Sequence, residues 1–154
     1  MSEPTAQAST VIEASREAVW EALTDPDLVR EYFMGTTVVT DWKLGSPITF
    51  SGEWGGKSYT DKGEILDLEP AARLAFSHWS PMSGTPDAPE HYHVVEIALG
   101  DEGGNTAVTL TQSNLRGGIT DSDHANRDEY EKTWAAVLSG LKQTVETRAT
   151  RSSS

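Results

Sequence analysis

Histidine and amide side chains stand at the ends of three predicted strands. His91 and His93 begin one strand, His78 ends another, and Gln112 and Asn114 end a third. Because side chains two residues apart in a strand lie on the same face, each group continues an inward-facing apolar stripe. We therefore expect these groups to meet as the polar end of an otherwise apolar pocket.

A His-x-His pair with a third histidine on the neighbouring strand can ligate zinc or another borderline metal. The sequence contains no cysteine, and no carboxylate has an identifiable role beside His78, His91 and His93. A structural metal site needs further ligands and groups that orient them. We therefore expect no metal site and no cofactor, and we expect these histidines to make polar contacts with a ligand or with the protein.

Proton transfer is a second chemistry that histidines could perform, because imidazole titrates in the useful pH range. A positioned His78 or His93 could act in this way. Tyr59 and Asp61 could join them by sharing the inward face of Ile65, although Gly63 invites a bulge that would reverse the strand's faces. We assign no catalytic residue and expect a non-enzymatic protein.

Strands must position these residues, and the middle of the chain alternates with a period of two between turn-forming residues. The predicted strands are Ala6–Ala14, Thr36–Thr40, Pro47–Trp54, Ser58–Leu68, Arg73–Trp79, His91–Leu99 and Thr106–Ser113. After the first strand, Ser15 can cap one short helix, and Asp25 with Pro26 can begin a second that ends before Gly35. The short connections among the later strands predict an antiparallel meander, in which Gly100–Asn105 is one loop.

A long helix is predicted from Asp123 to Arg148, where apolar residues recur at helical spacing. Its apolar face comprises Tyr130, Trp134, Val137, Leu138, Leu141 and Val145. This face must cover the buried side of the sheet. We therefore predict an α+β fold in a single domain, 1–154, with an ordered core of about 6–148 and a polar, disordered C-terminal tail.

Composition excludes several classes of protein. The 154 residues include no cysteine, so a disulfide framework and a thiolate nucleophile are excluded. Twelve basic against twenty-four acidic residues give a net charge of −12, which repels phosphate backbones and anionic lipid surfaces. The polar N-terminus and the lack of long apolar runs predict a cytoplasmic protein that binds neither nucleic acid nor membrane.

Four strings and the last helix resemble the activator of heat-shock protein 90 ATPase homologue family, over roughly residues 8 to 146. The matching strings are Ala18–Pro26, Asp41-Trp42 with Gly45, Gly63–Pro70, Arg73–Trp79, and Trp134 with Leu138 and Leu141-Lys142. The resemblance departs at Ser15-Arg16, where a proline is common, and at Thr133, where a glycine is common. It implies the START-like (SRPBCC) helix-grip fold, in which a curved antiparallel sheet wraps around the C-terminal helix.

The resemblance also implies a cavity between sheet and helix that suits a small hydrophobic or amphipathic molecule. The predicted ligand-binding residues are Phe50, Trp54, Ile65, Phe76, His78, His93, Val95, Val108, Leu110, Gln112, Trp134 and Leu138. One alternative is a co-chaperone-like protein that stimulates a chaperone ATPase in the stress response, although we expect no separate N-terminal domain of the kind that the eukaryotic co-chaperones have. Another is a polyketide cyclase-like or hydrolase-like enzyme that uses a pocket histidine.

Overall fold

The computed structural model of the protein describes residues 6–33, 35–54, 56–80, 86–88, 91–115 and 121–152. Its elements, in chain order, are β1 (Ala6–Ile12), α1 (Arg16–Thr24), α2 (Pro26–Tyr32), β2 (Thr37–Thr40), β3 (Pro47–Trp54), β4 (Lys57–Glu69), β5 (Arg73–His78), β6 (His93–Glu102), β7 (Asn105–Asn114) and α3 (Asp121–Ser152). The predicted α+β helix-grip fold is confirmed. The prediction of a single domain over the whole chain stays a prediction.

The two short helices begin and end where their capping residues predict. The Ser15 hydroxyl accepts a hydrogen bond from the Ala18 amide, and the Asp25 carboxylate accepts one from the Asp27 amide. Pro26 occupies the first turn of α2, where its missing amide proton costs nothing. Gly35 then adopts a φ of 72°, a conformation that glycine reaches without strain. These turns bring the end of α2 against the sheet and α3.

The seven strands form one curved antiparallel sheet in the order β1-β7-β6-β5-β4-β3-β2. The β6–β7 hairpin is longer than expected, because strand pairing continues to Glu102 and Asn105 and leaves only Gly103 and Gly104 in the turn. The prediction of a loop over Gly100–Asn105 is therefore wrong. Both turn glycines have positive φ, which a two-residue hairpin turn requires.

Helix α3 lies across the concave face of the sheet and buries Val137, Leu138, Leu141 and Val145. It begins two residues before the predicted start and continues to Ser152, beyond the predicted end of the ordered core at about residue 148. Its polar residues stabilise the edge strand β1. The carboxylates of Glu131 and Glu146 accept hydrogen bonds from the backbone amides of Gln7 and Glu13, which satisfies part of an otherwise open strand edge.

Within the described residues, no helix is both long enough and apolar enough to span a membrane.

Candidate functional site

An open cleft lies between the first half of α3 and strands β3 to β5, next to the end of α2. Its volume is about 370 Å³, within the range of about 300–1,000 Å³ that is typical of small-molecule sites. The residues that line it are Phe33, Thr36, Phe50, Glu53, Tyr59, Asp61, His78, Ser80, Thr133 and Trp134. Four elements, β3, β4, β5 and α3, and the connection between α2 and β2 therefore contribute to one concave surface.

Aromatic rings form one side of the cleft. Phe33 lies edge-on to Trp134, with ring centroids 6.0 Å apart, and is stacked on Phe50 at 6.4 Å. The indole nitrogen of Trp134 donates a 2.8 Å hydrogen bond to the buried side-chain oxygen of Gln112. This bond fixes the indole orientation and leaves the ring itself as apolar surface along the cleft.

A histidine–carboxylate pair forms the polar side of the cleft. His78 Nε2 donates a 2.9 Å hydrogen bond to Asp61 Oδ2, since a carboxylate can only accept. The His78 ring also makes an edge contact with Phe50, at a centroid distance of 5.5 Å. The second oxygen of Asp61, Oδ1, is buried and has no hydrogen-bond partner within the described part of the chain. A carboxylate with one unpaired buried oxygen is incompletely stabilised, and such a group costs about 1–3 kcal/mol or more.

A pair of hydroxyl groups borders the same side. The hydroxyls of Tyr59 and Thr36 lie 3.1 Å apart and share a hydrogen bond. A side chain at Gly52 would meet the Tyr59 hydroxyl at 2.7 Å, so the missing side chain gives the phenol ring its room. Thr36 is almost fully buried, and the bond therefore holds the phenol in place.

A second histidine–carboxylate pair joins the sheet to α3. His93 stands directly opposite His78 across β5 and β6, and its Nε2 lies 3.6 Å from Asp123 Oδ1. The side-chain amide of Asn114 donates a 2.7 Å hydrogen bond to the other carboxylate oxygen of Asp123. Burial lowers the pKa of His93 and the nearby His78 adds to this, while the charge of Asp123 acts in the opposite direction. Burial also raises the pKa of Tyr130, whose ring contacts His93 edge-on.

The interior between α3 and the sheet is closely packed. An apolar space of about 40 Å³ remains there, lined in part by Phe76, Val95, Leu110 and Leu138. This space is about a ninth of the volume of the open cleft. These four residues lie on the inward face, as the sequence predicts. The packed interior that they line adjoins the open cleft, since Phe33, Phe50 and Trp134 line both.

The other predicted site residues occupy different positions. Ile65 and Val108 are fully buried in the core, and Gln112 is buried behind Trp134. Trp54 ends β3, but its side chain lies outside the described residues. The ligand-binding role of the predicted set stays a prediction.

Two expectations about the polar residues are wrong. His91 does not extend β6, which begins at His93; its Nδ1 donates instead to the Pro86 carbonyl at 3.0 Å. Apart from Asp61, if it faced inward, the sequence identified no carboxylate near the histidines, whereas the structure places Asp123 beside His93 as well as Asp61 beside His78. Among the residues that the structure describes, no three histidine, cysteine or acidic side chains form a group that could hold a metal ion.

Tyr59 and Asp61 face the cleft because the pairing of β4 is regular on both sides of Gly63. The irregularity in the β4–β5 pairing falls between Ile65 and Asp67. The period-two series of Tyr59, Asp61, Gly63 and Ile65 is therefore unbroken, and this spacing is the signal that identifies the two polar residues.

Comparison with known proteins gives one family. The family model described as Activator of Hsp90 ATPase homolog 1-like protein matches residues 13–146. No curated protein matches the sequence.

Among solved structures, ChR145 from Cytophaga hutchinsonii is 46% identical, with a TM-score of 0.76 over 94% of this chain and 95% of that chain. The Aha1 dimer from Colwellia psychrerythraea is 21% identical, with a TM-score of 0.65 over 91% of this chain and 94% of that chain. DynU16, described as a putative protein in the dynemicin biosynthetic locus, is 21% identical, with a TM-score of 0.73 over 92% of this chain and 47% of that chain. The last two similarities show the fold alone.

Proposed function

The chain belongs to the Activator of Hsp90 ATPase homolog 1-like family, and we propose that it binds a small hydrophobic or amphipathic molecule in the cleft between α3 and strands β3 to β5. The observation that carries the proposal is that one concave surface combines an aromatic side with a compact polar side. Small-molecule sites commonly combine these features, since apolar walls provide affinity and a few polar groups fix orientation.

In this proposal, Phe33, Phe50 and Trp134 contact the apolar part of the ligand, and His78 with Asp61 contacts its polar group. Burial of apolar surface contributes about 25 cal/mol per Å² before the costs of ordering the ligand and the side chains. The cleft is open to solvent on one side, so we expect an affinity on the order of micromolar rather than nanomolar.

Titration with 4-butylbenzyl alcohol, a neutral amphipathic probe, tests this function through tryptophan emission. We expect a saturable change that is mostly lost in Trp134→Phe, because the indole on the cleft wall reports the displacement of water. Trp79→Phe is the matched control, since Trp79 stacks on Tyr92 away from the cleft. A response that does not saturate, or that persists fully in Trp134→Phe, contradicts the proposal.

The family match favours a second candidate, a protein that stimulates a chaperone ATPase. In that role the protein would form a complex with the chaperone and raise its rate of ATP hydrolysis. Native mass spectrometry and an ATPase assay with a purified Hsp90-type chaperone test this candidate. A complex with raised ATPase activity supports this candidate. The absence of both the complex and the raised activity at micromolar concentrations contradicts it.

The hydrogen bond from His78 to Asp61 favours a third candidate, an enzyme that moves a proton of its bound molecule. A carboxylate can orient an imidazole and stabilise its protonated form. Mass spectrometry of a cytosolic extract incubated with the protein in D₂O tests this candidate, because a carbon-bound proton that the protein removes is replaced by a deuteron from the solvent. The candidate requires deuterium incorporation that the wild type produces and His78→Asn does not.

A further inference from the structure

The charged residues that line the cleft are acidic apart from one histidine. Asp61 and Glu53 contribute carboxylates, and His78 is bonded to Asp61. Among the lining residues that the structure describes, none is lysine or arginine. The nearby Lys62 points to the other face of the sheet, where it pairs with Asp87. A positive charge inside the cleft would therefore lie near two carboxylates and no lysine or arginine among the described lining residues.

Asp61 is the centre of that potential. Its side chain is only 14% exposed, and its Oδ1 atom has no partner among the described residues. Charges that are partly withdrawn from water interact more strongly, because screening by solvent and salt is weaker. A cation in the cleft would stabilise this partly buried charge through space, in addition to the hydrogen bond that His78 donates.

The aromatic rings favour the same kind of ligand. The face of an aromatic ring carries negative potential and attracts a cation within about 6 Å of its centroid. Phe33, Phe50 and Trp134 lie around the cleft together with Tyr59. A ligand with a cationic nitrogen and an apolar body would find complementary surface for both parts.

We propose that the cleft binds an amphipathic amine, with its protonated nitrogen beside Asp61 and its apolar part against Phe33, Phe50 and Trp134. The inference rests on the proposed function and names the class of molecule that the same site takes. An anionic ligand of the same shape is disfavoured, because its charge would lie beside Asp61 and Glu53.

Calorimetric titration with 4-butylbenzylamine, 4-butylbenzyl alcohol and 4-butylbenzoate tests this inference, because the three probes differ mainly in the charge of one group. We expect the amine to bind at least about tenfold more tightly than the benzoate, a difference of about 1.4 kcal/mol. Asp61→Asn should weaken amine binding at least about fivefold, and it should weaken alcohol binding by a smaller factor, because the alcohol carries no charge to pair with the carboxylate.

Two further variants complete the experiment. Asp101→Asn removes an equal charge from the distant β6–β7 hairpin, where Asp101 pairs with Arg16, and should leave all three affinities unchanged. Glu53→Gln changes an exposed residue and tests the cleft charge if Asp61→Asn fails to fold; we expect about a twofold to threefold loss of amine affinity.

Benzoate binding that equals or exceeds amine binding overturns this inference and leaves the proposed function standing. Failure of all three probes to bind overturns both.

Discussion

Gly63 is the residue that lets β4 and β5 approach closely beside the cleft. A Cβ atom at this position would lie 1.7 Å from the Ser77 carbonyl oxygen, well inside any allowed contact. The Ser77 hydroxyl also accepts a hydrogen bond from the Glu64 amide at 2.9 Å. This close approach places His78 diagonally across from Asp61. Glycine is therefore needed here for space, because a side chain would push the two strands apart.

Gly63→Ala should destabilise the protein by about 1–3 kcal/mol or more, because the backbone of β5 must move to admit the methyl group. Urea unfolding measures this change in the free energy of unfolding. Gly100→Ala is the control, since nothing lies within 4 Å of its added Cβ, and we expect a change within about 0.5 kcal/mol. Equal effects of the two substitutions would contradict the close approach of β4 and β5 at Gly63.

His93 should make stability depend on pH. Its folded-state pKa lies below the ordinary value of 6.5, chiefly through burial. The unfolded chain therefore takes up this proton more readily as the pH falls. Stability from neutral His93 is fully present above pH 6.5 and is lost as the pH falls through that value towards the lower folded-state pKa. We expect His93→Gln to lose less stability than the wild type between about pH 7.5 and pH 5.5.

Urea unfolding at the two pH values measures that difference. His91→Gln is the matched control, because His91 lies in the turn before β6 and bonds to the Pro86 carbonyl rather than to Asp123. Its pH dependence should follow the wild type. An identical loss of stability in wild type and His93→Gln would show that His93 is not the group that titrates.

At the scale of elements, local spacing predicts which face of a strand or helix is buried. The Ser15 and Asp25 caps, the inward face of β6 and the apolar stripe of α3 all follow from residues close together in the chain. The irregularity in β4 does not follow from local spacing, because the pairing of β4 with β5 decides where the register shifts. Gly63 is consistent with a bulge or with a close approach of two strands, and the sequence alone does not separate them.

The pairing of His93 with Asp123 also cannot be predicted from the spacing of residues close together in the chain. It joins the start of β6 to the first turn of α3, and its geometry depends on where that helix begins on the sheet. The end of α3 shows the same dependence. Residues Thr147–Ser152 are polar and predict a tail, yet the helix continues through them and Arg148 bonds to Glu21 of α1 at 3.0 Å.

Leu141→Ala tests the packing of α3 against the sheet. Leu141 is fully buried, so its truncation should cost about 2–5 kcal/mol through lost contacts and a residual cavity. Ser139→Ala, on the exposed side of the same helix, should change stability by less than about 0.5 kcal/mol. Thermal or urea unfolding of both variants measures this. A small effect of Leu141→Ala would mean that another face of α3 meets the sheet.

At the scale of the whole molecule, the cleft joins residues that are far apart in the chain. Phe33 at the end of α2 contacts Trp134 on α3, and Phe50 on β3 lies opposite Asp61 on β4. The family and fold could be predicted from ordered strings of residues, and both are confirmed. The lining of the cleft could be predicted only in part. Phe50, His78 and Trp134 were in the predicted set, whereas Phe33 and Thr36 lie in a connection whose path only the folded chain defines.

The central claim is that this cleft, rather than the packed interior, binds a small amphipathic molecule. Amide and indole chemical shifts of labelled protein, followed by NMR during titration with 4-butylbenzyl alcohol, test it most directly. We predict saturable shifts of the Trp134 indole and of the amides of Phe33, Phe50, Asp61 and His78, with Trp79 and Leu115 unchanged on the opposite face. Shifts that fail to saturate, or that concentrate on that opposite face, would contradict the account.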